Sequence, residues 1–422
     1  MRIVFVLHQF YPEFSGGTEH VALNLARSLQ RAGHYVHVLA CAMRPLPSKR
    51  RWRITREIDI IHEVYHGVPI TWIARKHLPA MGDIAFDVAP ATVNKLSIWM
   101  RAQRFDLMHL FHAMRMSSAV LAAQQCKLPY VATVTDFFFG CYRVNSINMQ
   151  GNFCTGPQEG QVCERDCLTP PWTGSSLLNR YQQSQALLQA AGERVVPSEY
   201  VAQYFRNAFP AMSWRVIPHG IDFLNLLPAS RKDDASCVED KSRDFIVLGY
   251  LGSIIQPKGL HILLQALART PSPRLRLRIV GGFYGDPVYK RDILRMIEAD
   301  PRVQWEGQVD PTLIASELKQ MDLLCLPSLM PETFSLVLHE AAVLQIPALV
   351  SDLGAQEHYV TQHQSGRVIA RGDIFAWSQA LQEIASDPQQ ISAWRANIRM
   401  PYRVEEEAFF YESLYRQFIT LS

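Results

Sequence analysis

Cysteine is scarce in this chain, with eight in 422 residues, too few for the disulfide framework of a secreted scaffold. Long apolar runs are missing as well. The opening Met1-Arg2-Ile3-Val4-Phe5-Val6-Leu7-His8 is too short for a signal-peptide core or a membrane span. The expected location is therefore the cytoplasm, with peripheral contact to the inner face of a membrane left open. Charge of one sign is not in excess, since 42 Lys and Arg face 39 Asp and Glu for a formal net charge of +3. That balance argues against a nucleic-acid partner. The one basic run, Arg44, Lys49, Arg50, Arg51, Arg53 and Arg56 around Trp52, reads either as a solvated loop or as attraction to anionic lipid or an anionic acceptor. No long internal repeat is visible, which excludes a solenoid.

With 48% hydrophobic and 19% charged residues, the composition is that of a globular protein long enough for two domains of roughly 200 residues each. Short β-branched runs alternate with amphipathic helical patterns, the signature of parallel sheets flanked by helices. The spacing predicts strands at 3–7, 36–40, 107–111, 130–134 and 194–196. A second series opens at Arg215-Val216-Ile217-Pro218-His219-Gly220 and continues at 246–251, 277–280, 323–326 and 348–350. The hinge is expected near Phe209 to Trp214, dividing the chain into domains 1–212 and 213–400. The polar stretch between Leu227 and Asp244 is expected to be a loop inside the second domain. Such domains bind ligands at the carboxyl ends of their strands.

The loops there carry the candidate chemistry. Ser15-Gly16-Gly17-Thr18-Glu19 lies between the first strand and first helix, where Gly16 and Gly17 allow close backbone approach to a ligand. It lacks the G-x-G-x-x-G spacing of a dinucleotide fold and the G-K-[ST] ending of a P-loop. Gly252-Ser253-Ile254-Ile255-Gln256-Pro257-Lys258-Gly259 joins small residues, the Ser253 hydroxyl and one lysine before a helix, a cradle for a diphosphate. The loop at Gly281-Gly282-Phe283 could admit a flat base. In Pro331-Glu332-Thr333-Phe334-Ser335-Leu336-Val337-Leu338-His339-Glu340, two glutamates flank a loop-to-helix junction. Thr333 or Ser335 is a natural N-cap, leaving Glu332 in the loop and Glu340 on the second turn. In one continuous helix the two would point about 80° apart. Carboxylates accept hydrogen bonds from sugar hydroxyls while helix amides take phosphate. Glu340 stands in an apolar helix, so a hydroxyl or cationic partner is expected for it.

These motifs in this order resemble the retaining glycosyltransferases of family 4, with the GT-B architecture of two Rossmann-like α/β domains facing across a cleft. The resemblance spans nearly all of the chain. It implies that Glu340 binds the donor ribose and Glu332 the sugar hydroxyls. It further implies that the amides of Ser335, Leu336 and Val337, next to Phe334, hold the diphosphate with Lys258. The tail at 402–422, with Tyr402, Phe409, Phe410, Leu414 and Tyr415, is similar to the terminal helix that crosses back onto the first domain. Ser253 stands where many members have arginine, and Thr135-Asp136 where many have histidine. His112, after the strand 107–111, is then the histidine expected to face the cleft; His112 and Asp136 join Glu332 and Lys258 as catalytic candidates, and Gln345 replaces a common glycine.

The implied activity is front-face displacement from a UDP-, GDP- or ADP-sugar onto a glycan or lipid-linked acceptor, with no metal required. A sugar-nucleotide epimerase or phosphorylase and a non-catalytic sugar-nucleotide binder are the other readings. Cys141, Cys154, Cys163 and Cys167 resemble the cysteine-bearing insertion of some family members, here about 137–172. A structural zinc site, reduced thiols, a disulfide and an iron–sulfur cluster all remain open for them.

Overall fold

The structure, a computed structural model, describes residues 1–44, 52–55, 58–78, 85–227 and 244–419, with 52–55 and 58–59 described by backbone alone. The polar stretch 228–243 and, Arg44 apart, the side chains of the basic run lie outside the described residues. Contacts divide the chain into two compact units, Met1–Gly220 with Val404–Ser422, and Ile221–Arg403.

The described strands of the first unit are β1 (Arg2–Leu7), β2 (Tyr35–Ala42), β3 (Trp52–Thr55), β4 (Ile58–Tyr65), β5 (Val68–Ala74), β6 (Leu107–Leu110), β7 (Tyr130–Thr133), β8 (Glu193–Val196) and β9 (Arg215–Val216). They form one sheet in the order β3-β4-β5-β2-β1-β6-β7-β8-β9. Ile3 to Leu7 are all buried, because a parallel strand covered on both faces needs a continuous apolar run rather than alternation. Only β3, β4 and β5 pair antiparallel with one another. The β4–β5 hairpin turns through His66 (φ 46°) and Gly67 (φ 82°), the left-handed pair of a two-residue turn.

Two expectations are corrected here. Arg215–Val216 does not open the second series; it adds to the first sheet, with Val195 opposite Arg215 and Val196 opposite Val216. Phe209 and Trp214, expected at the hinge, are buried in the first core beside Tyr181 and Phe205, with the Phe209 and Tyr181 rings stacked at 5.1 Å. Aromatic side chains of that size are held by the core they fill, so the change of unit falls after Gly220.

The second unit contains β10 (Ile246–Leu251), β11 (Leu275–Val280), β12 (Val303–Gly307), β13 (Leu323–Leu326), β14 (Ala348–Ser351) and β15 (Gly366–Ile369), in the order β12-β11-β10-β13-β14-β15. Its described pairings are all parallel. The two edge strands β12 and β15 escape a reading based on apolar runs, because their side chains are largely half-buried or exposed.

The last helix, Val404–Ile419, belongs to the first unit. Tyr411 and Tyr415 face inward, whereas Phe409, Phe410 and Tyr402 are exposed. Tyr415 Oη lies 2.6 Å from His109 Nδ1, His109 Nε2 lies 2.6 Å from Thr133 Oγ1, and Tyr411 Oη lies 2.8 Å from the same hydroxyl. Glu407 accepts from Gly220 N at 2.9 Å and pairs with His219 at 3.1 Å. Each of these buried polar groups is satisfied across elements distant in sequence.

Candidate active site

The strand order of the second sheet reverses between β10 and β13, so the loops leaving those strands flank a switch point, where open α/β sheets take ligands. Both loops are held by backbone contacts. Gly259 has φ 72°, and a Cβ there would come within 1.9 Å of the Pro327 carbonyl oxygen; Leu329 N donates to Pro257 O at 2.8 Å. A Cβ on Gly281 would likewise meet Gly252 O at 1.9 Å, which fixes the loop after β11 against the loop after β10. Burial pushes the Tyr250 phenol well above its ordinary pKa, and the neutral hydroxyl donates to Ser253 O at 2.9 Å.

Within this frame Lys258 Nζ and Glu332 Oε1 meet at 2.7 Å. Lys258 lies in the short turn Gln256–Lys258 ahead of the helix Leu260–Ala268. Ser328 Oγ donates to the same Glu332 oxygen at 2.7 Å. The backbone of Glu332 is clamped from the loop after β14, where Ala355 N donates to Glu332 O at 2.8 Å. A Cβ on Gly354 (φ 89°) would stand 2.4 Å from Glu332 N. One cation, one carboxylate and one hydroxyl are thus fixed side by side at the switch point.

The helix Leu336–Val343 starts immediately after. Ser335 occupies the N-cap position, but it does so with φ 67° and ψ 76° and without a side-chain capping bond. Its carbonyl organises the turn instead, accepting from Leu338 N at 3.1 Å and from His339 Nδ1 at 3.0 Å. A non-glycine residue in this left-handed region costs about 1 kcal/mol or more. The His339 ring lies on Phe334 at 3.9 Å and 6° and holds the junction in place. Leu336 and Val337 occupy the first turn, whose amides have no carbonyl within the helix to donate to. Glu340 is buried on the second turn. Beside Gly282, Phe283 packs edge-on to Trp305 at 5.1 Å, and Trp305 Nε1 donates to Gly281 O at 3.0 Å.

In the first sheet the order reverses between β1 and β6. Gly16 caps the helix Gly17–Arg31, and its N–H donates to Glu19 Oε2 at 2.8 Å. Thr18 Oγ1 reaches Thr135 Oγ1 at 2.7 Å. His112 and Asp136 are brought together, Nε2 to Oδ2, at 2.9 Å. Met114 N donates to His112 Nδ1 at 3.1 Å, so the ring proton resides on Nε2 and points at Asp136. The other Asp136 oxygen accepts Phe138 N at 2.9 Å. His8 and Arg115 also belong here and were not foreseen. The His8 ring lies 4.0 Å from that of His112, and Arg115 Nη2 donates to His8 O at 3.3 Å. The position of His8, directly after the first buried strand, was the available signal.

Cys141, Cys163 and Cys167 are buried and Cys154 is half-buried, all as free thiols. Burial, followed by the neighbouring Cys141, Cys154 and Cys167, pushes the Cys163 thiol up to about 12, so the four are neighbours. Among the described residues, however, no group of three or more His, Cys, Asp or Glu is arranged to hold a metal ion, and the zinc expectation finds no support in this arrangement. Also among the described residues, no helix is long and apolar enough to cross a membrane.

Comparison with known proteins gives the family. Residues 15–223 match the model described as Glycosyltransferase Family 4, and residues 232–400 match Glycosyl transferases group 1. The chain is 27% identical over 383 residues to the phosphatidyl-myo-inositol mannosyltransferase of Mycolicibacterium smegmatis, covering 89% of this chain and 82% of that protein. Among solved structures it is similar to sucrose-phosphate synthase from Thermosynechococcus elongatus, with TM-score 0.73 and 21% identity over 100% of both chains. It is also similar to Anabaena HepE in complex with UDP and glucose, with TM-score 0.67 and 18% identity over 98% of this chain and 99% of that one. With two doubly wound α/β units and both family models matched along its length, the chain belongs to glycosyltransferase family 4 and has the GT-B fold.

Proposed function

We propose that this glycosyltransferase moves a sugar from a nucleotide-sugar donor to a hydroxyl of a glycan or lipid-linked acceptor, with retention and without a catalytic metal. The observation that carries the reading is the 2.7 Å contact of Lys258 with Glu332, beside the start of the helix Leu336–Val343. The complex of HepE with UDP and glucose and the mannosyltransferase relative support a nucleotide-sugar donor.

Lys258 and the amides at Ser335, Leu336 and Val337 then hold the diphosphate. Glu332 accepts from the sugar hydroxyls, Glu340 accepts from the ribose, and the base lies along Gly281 and Gly282. As the glycosidic C–O bond breaks, negative charge grows on the leaving phosphate, where Lys258 and the helix start stabilise it. The acceptor hydroxyl forms the new C–O bond from the same face, and its proton passes to the departing phosphate oxygen. Asp136, held by His112, lies on the acceptor half.

Thermal-shift screening of UDP-, GDP- and ADP-sugars tests the donor, because a ligand of the native state raises apparent stability. NMR of the product's anomeric configuration tests retention. No stabilisation by any nucleotide sugar, or an inverted product, overturns the reading.

A further inference from the structure

At the start of the helix Leu336–Val343, one peptide plane has its direction set by a side chain. Ser335 takes φ 67° and ψ 76° with no capping bond from its own hydroxyl. That conformation is costly for serine, because the Cβ of an L-residue crowds the backbone in the left-handed region. Three donors converge on the Ser335 carbonyl oxygen, Leu338 N at 3.1 Å, His339 N at 3.4 Å and His339 Nδ1 at 3.0 Å. The first two are backbone bonds that other residues could supply; the third needs a side chain at position 339 with a donor on its near edge. A carbonyl oxygen only accepts, so the imidazole carries a proton on Nδ1. The ring is held where it is. It lies face-on to Phe334 at 3.9 Å and 6°, and the ring of Tyr359, in the helix Ala355–His363, stands 4.7 Å away at 58°. Tyr359 is fixed in turn by its hydroxyl, which donates to Arg399 O at 2.8 Å.

The peptide joining Ser335 to Leu336 is trans, and in a planar trans peptide the C=O and N–H point in opposite directions. With the Ser335 C=O drawn back over the first turn, the Leu336 N–H points out of the helix start. We propose that His339 is a positioning residue for the donor phosphates, its Nδ1–H holding Ser335 in the left-handed conformation and so aiming the Leu336 amide at the diphosphate. The inference rests on the glycosyl-transfer reading above and adds a side chain that acts on the donor through the backbone. Without that donor, Ser335 is released toward the ordinary regions of φ and ψ, and the peptide plane turns with it. Glycine takes a φ near 67° without the Cβ penalty, so a glycine at 335 has no need of His339.

The test uses the full chain. Calorimetric titration with UDP, GDP and ADP finds the nucleoside diphosphate that the wild type binds, and that probe then reads the variants, each checked for folding by thermal melting. His339→Phe keeps a ring on Phe334 and removes the donor. His339→Asn discards the ring but returns an N–H close to where Nδ1 stood. His339→Phe should weaken binding about tenfold, as for loss of one hydrogen bond, and His339→Asn should recover most of that loss. In a Ser335→Gly background the same His339→Phe change should weaken binding by less than about threefold, because the coupling between the two positions is gone. Should His339→Phe not fold, His339→Leu takes its place in the same cycle. Equal losses in the two backgrounds overturn the proposal. So does wild-type affinity in His339→Phe, or a loss in His339→Asn as large as that in His339→Phe. If the wild type binds none of UDP, GDP and ADP, the glycosyl-transfer reading falls and the role of His339 with it, whereas a wild type that binds and variants that bind equally well sink the role of His339 alone.

Discussion

Lys258 Nζ sits 2.7 Å from Glu332 Oε1 although 74 positions separate the two in the chain. The contact means that the one cation of the phosphate loop is oriented by the carboxylate proposed to read the sugar. Arrival of a diphosphate would draw Lys258 toward a second anion while Glu332 keeps the Ser328 hydroxyl. Donor binding and sugar orientation are then coupled through one ammonium group.

Lys258→Ala should lower transfer by about 10²-fold or more, the scale of losing one transition-state donor. Single-turnover rates at saturating donor are the measurement, and a near-normal rate in the variant would remove Lys258 from the mechanism.

Gly354→Ala places a methyl group 2.4 Å from Glu332 N at a residue with φ 89°. Gly67→Ala makes the same change at φ 82° with nothing within 4 Å. Each should cost about 1 kcal/mol or more in stability through its backbone conformation, but only Gly354→Ala should reduce transfer at temperatures where both variants are folded. Equal activity in the two would show that the Glu332 clamp is irrelevant to catalysis.

Acidification should destabilise the first unit. Burial brings the His37 pKa down to about 3 and holds His109 well below its ordinary value, so the unfolded chain takes up these protons first as pH falls. The stability they contribute is present above pH about 6.5. It is lost below that, by up to about 1.4 kcal/mol per pH unit for each group until the folded pKa is reached. Urea midpoints near neutrality and near pH 5 measure the loss. Imidazole resonances of His37 and His109 that titrate at the ordinary value would contradict it.

Glu407→Ala should destabilise the first unit by about 2 kcal/mol or more, because it removes the carboxylate that pairs with the buried His219 ring and accepts Gly220 N. Glu407→Gln keeps an acceptor for Gly220 N and should cost nearer 1 kcal/mol. Denaturant unfolding followed by a first-unit probe distinguishes the two, and indistinguishable variants would count against the buried pair.

The legible parts of the chain are those where local composition and burial coincide. β1 and β10 are continuous apolar runs because both faces are covered, and the glycines at 259 and 281 mark backbone contacts that no side chain could share. β12 and β15 were missed because edge strands keep polar faces. β9 was assigned to the wrong series because a two-residue strand carries no information about which sheet receives it. His8 was passed over for a similar reason, since a single histidine after a strand is unremarkable until a second ring is found against it.

From the residues themselves came the class of the fold, the loops that carry chemistry and the resemblance to family 4, since periodicity, glycine placement and motif order are local properties written along the chain. The tertiary structure alone decided which side chains meet. It joined Lys258 to Glu332 and turned His112 toward Asp136. Hydrogen-bond partners across strands are set by sheet order and loop closure, and these depend on the packing of the whole unit rather than on any one segment.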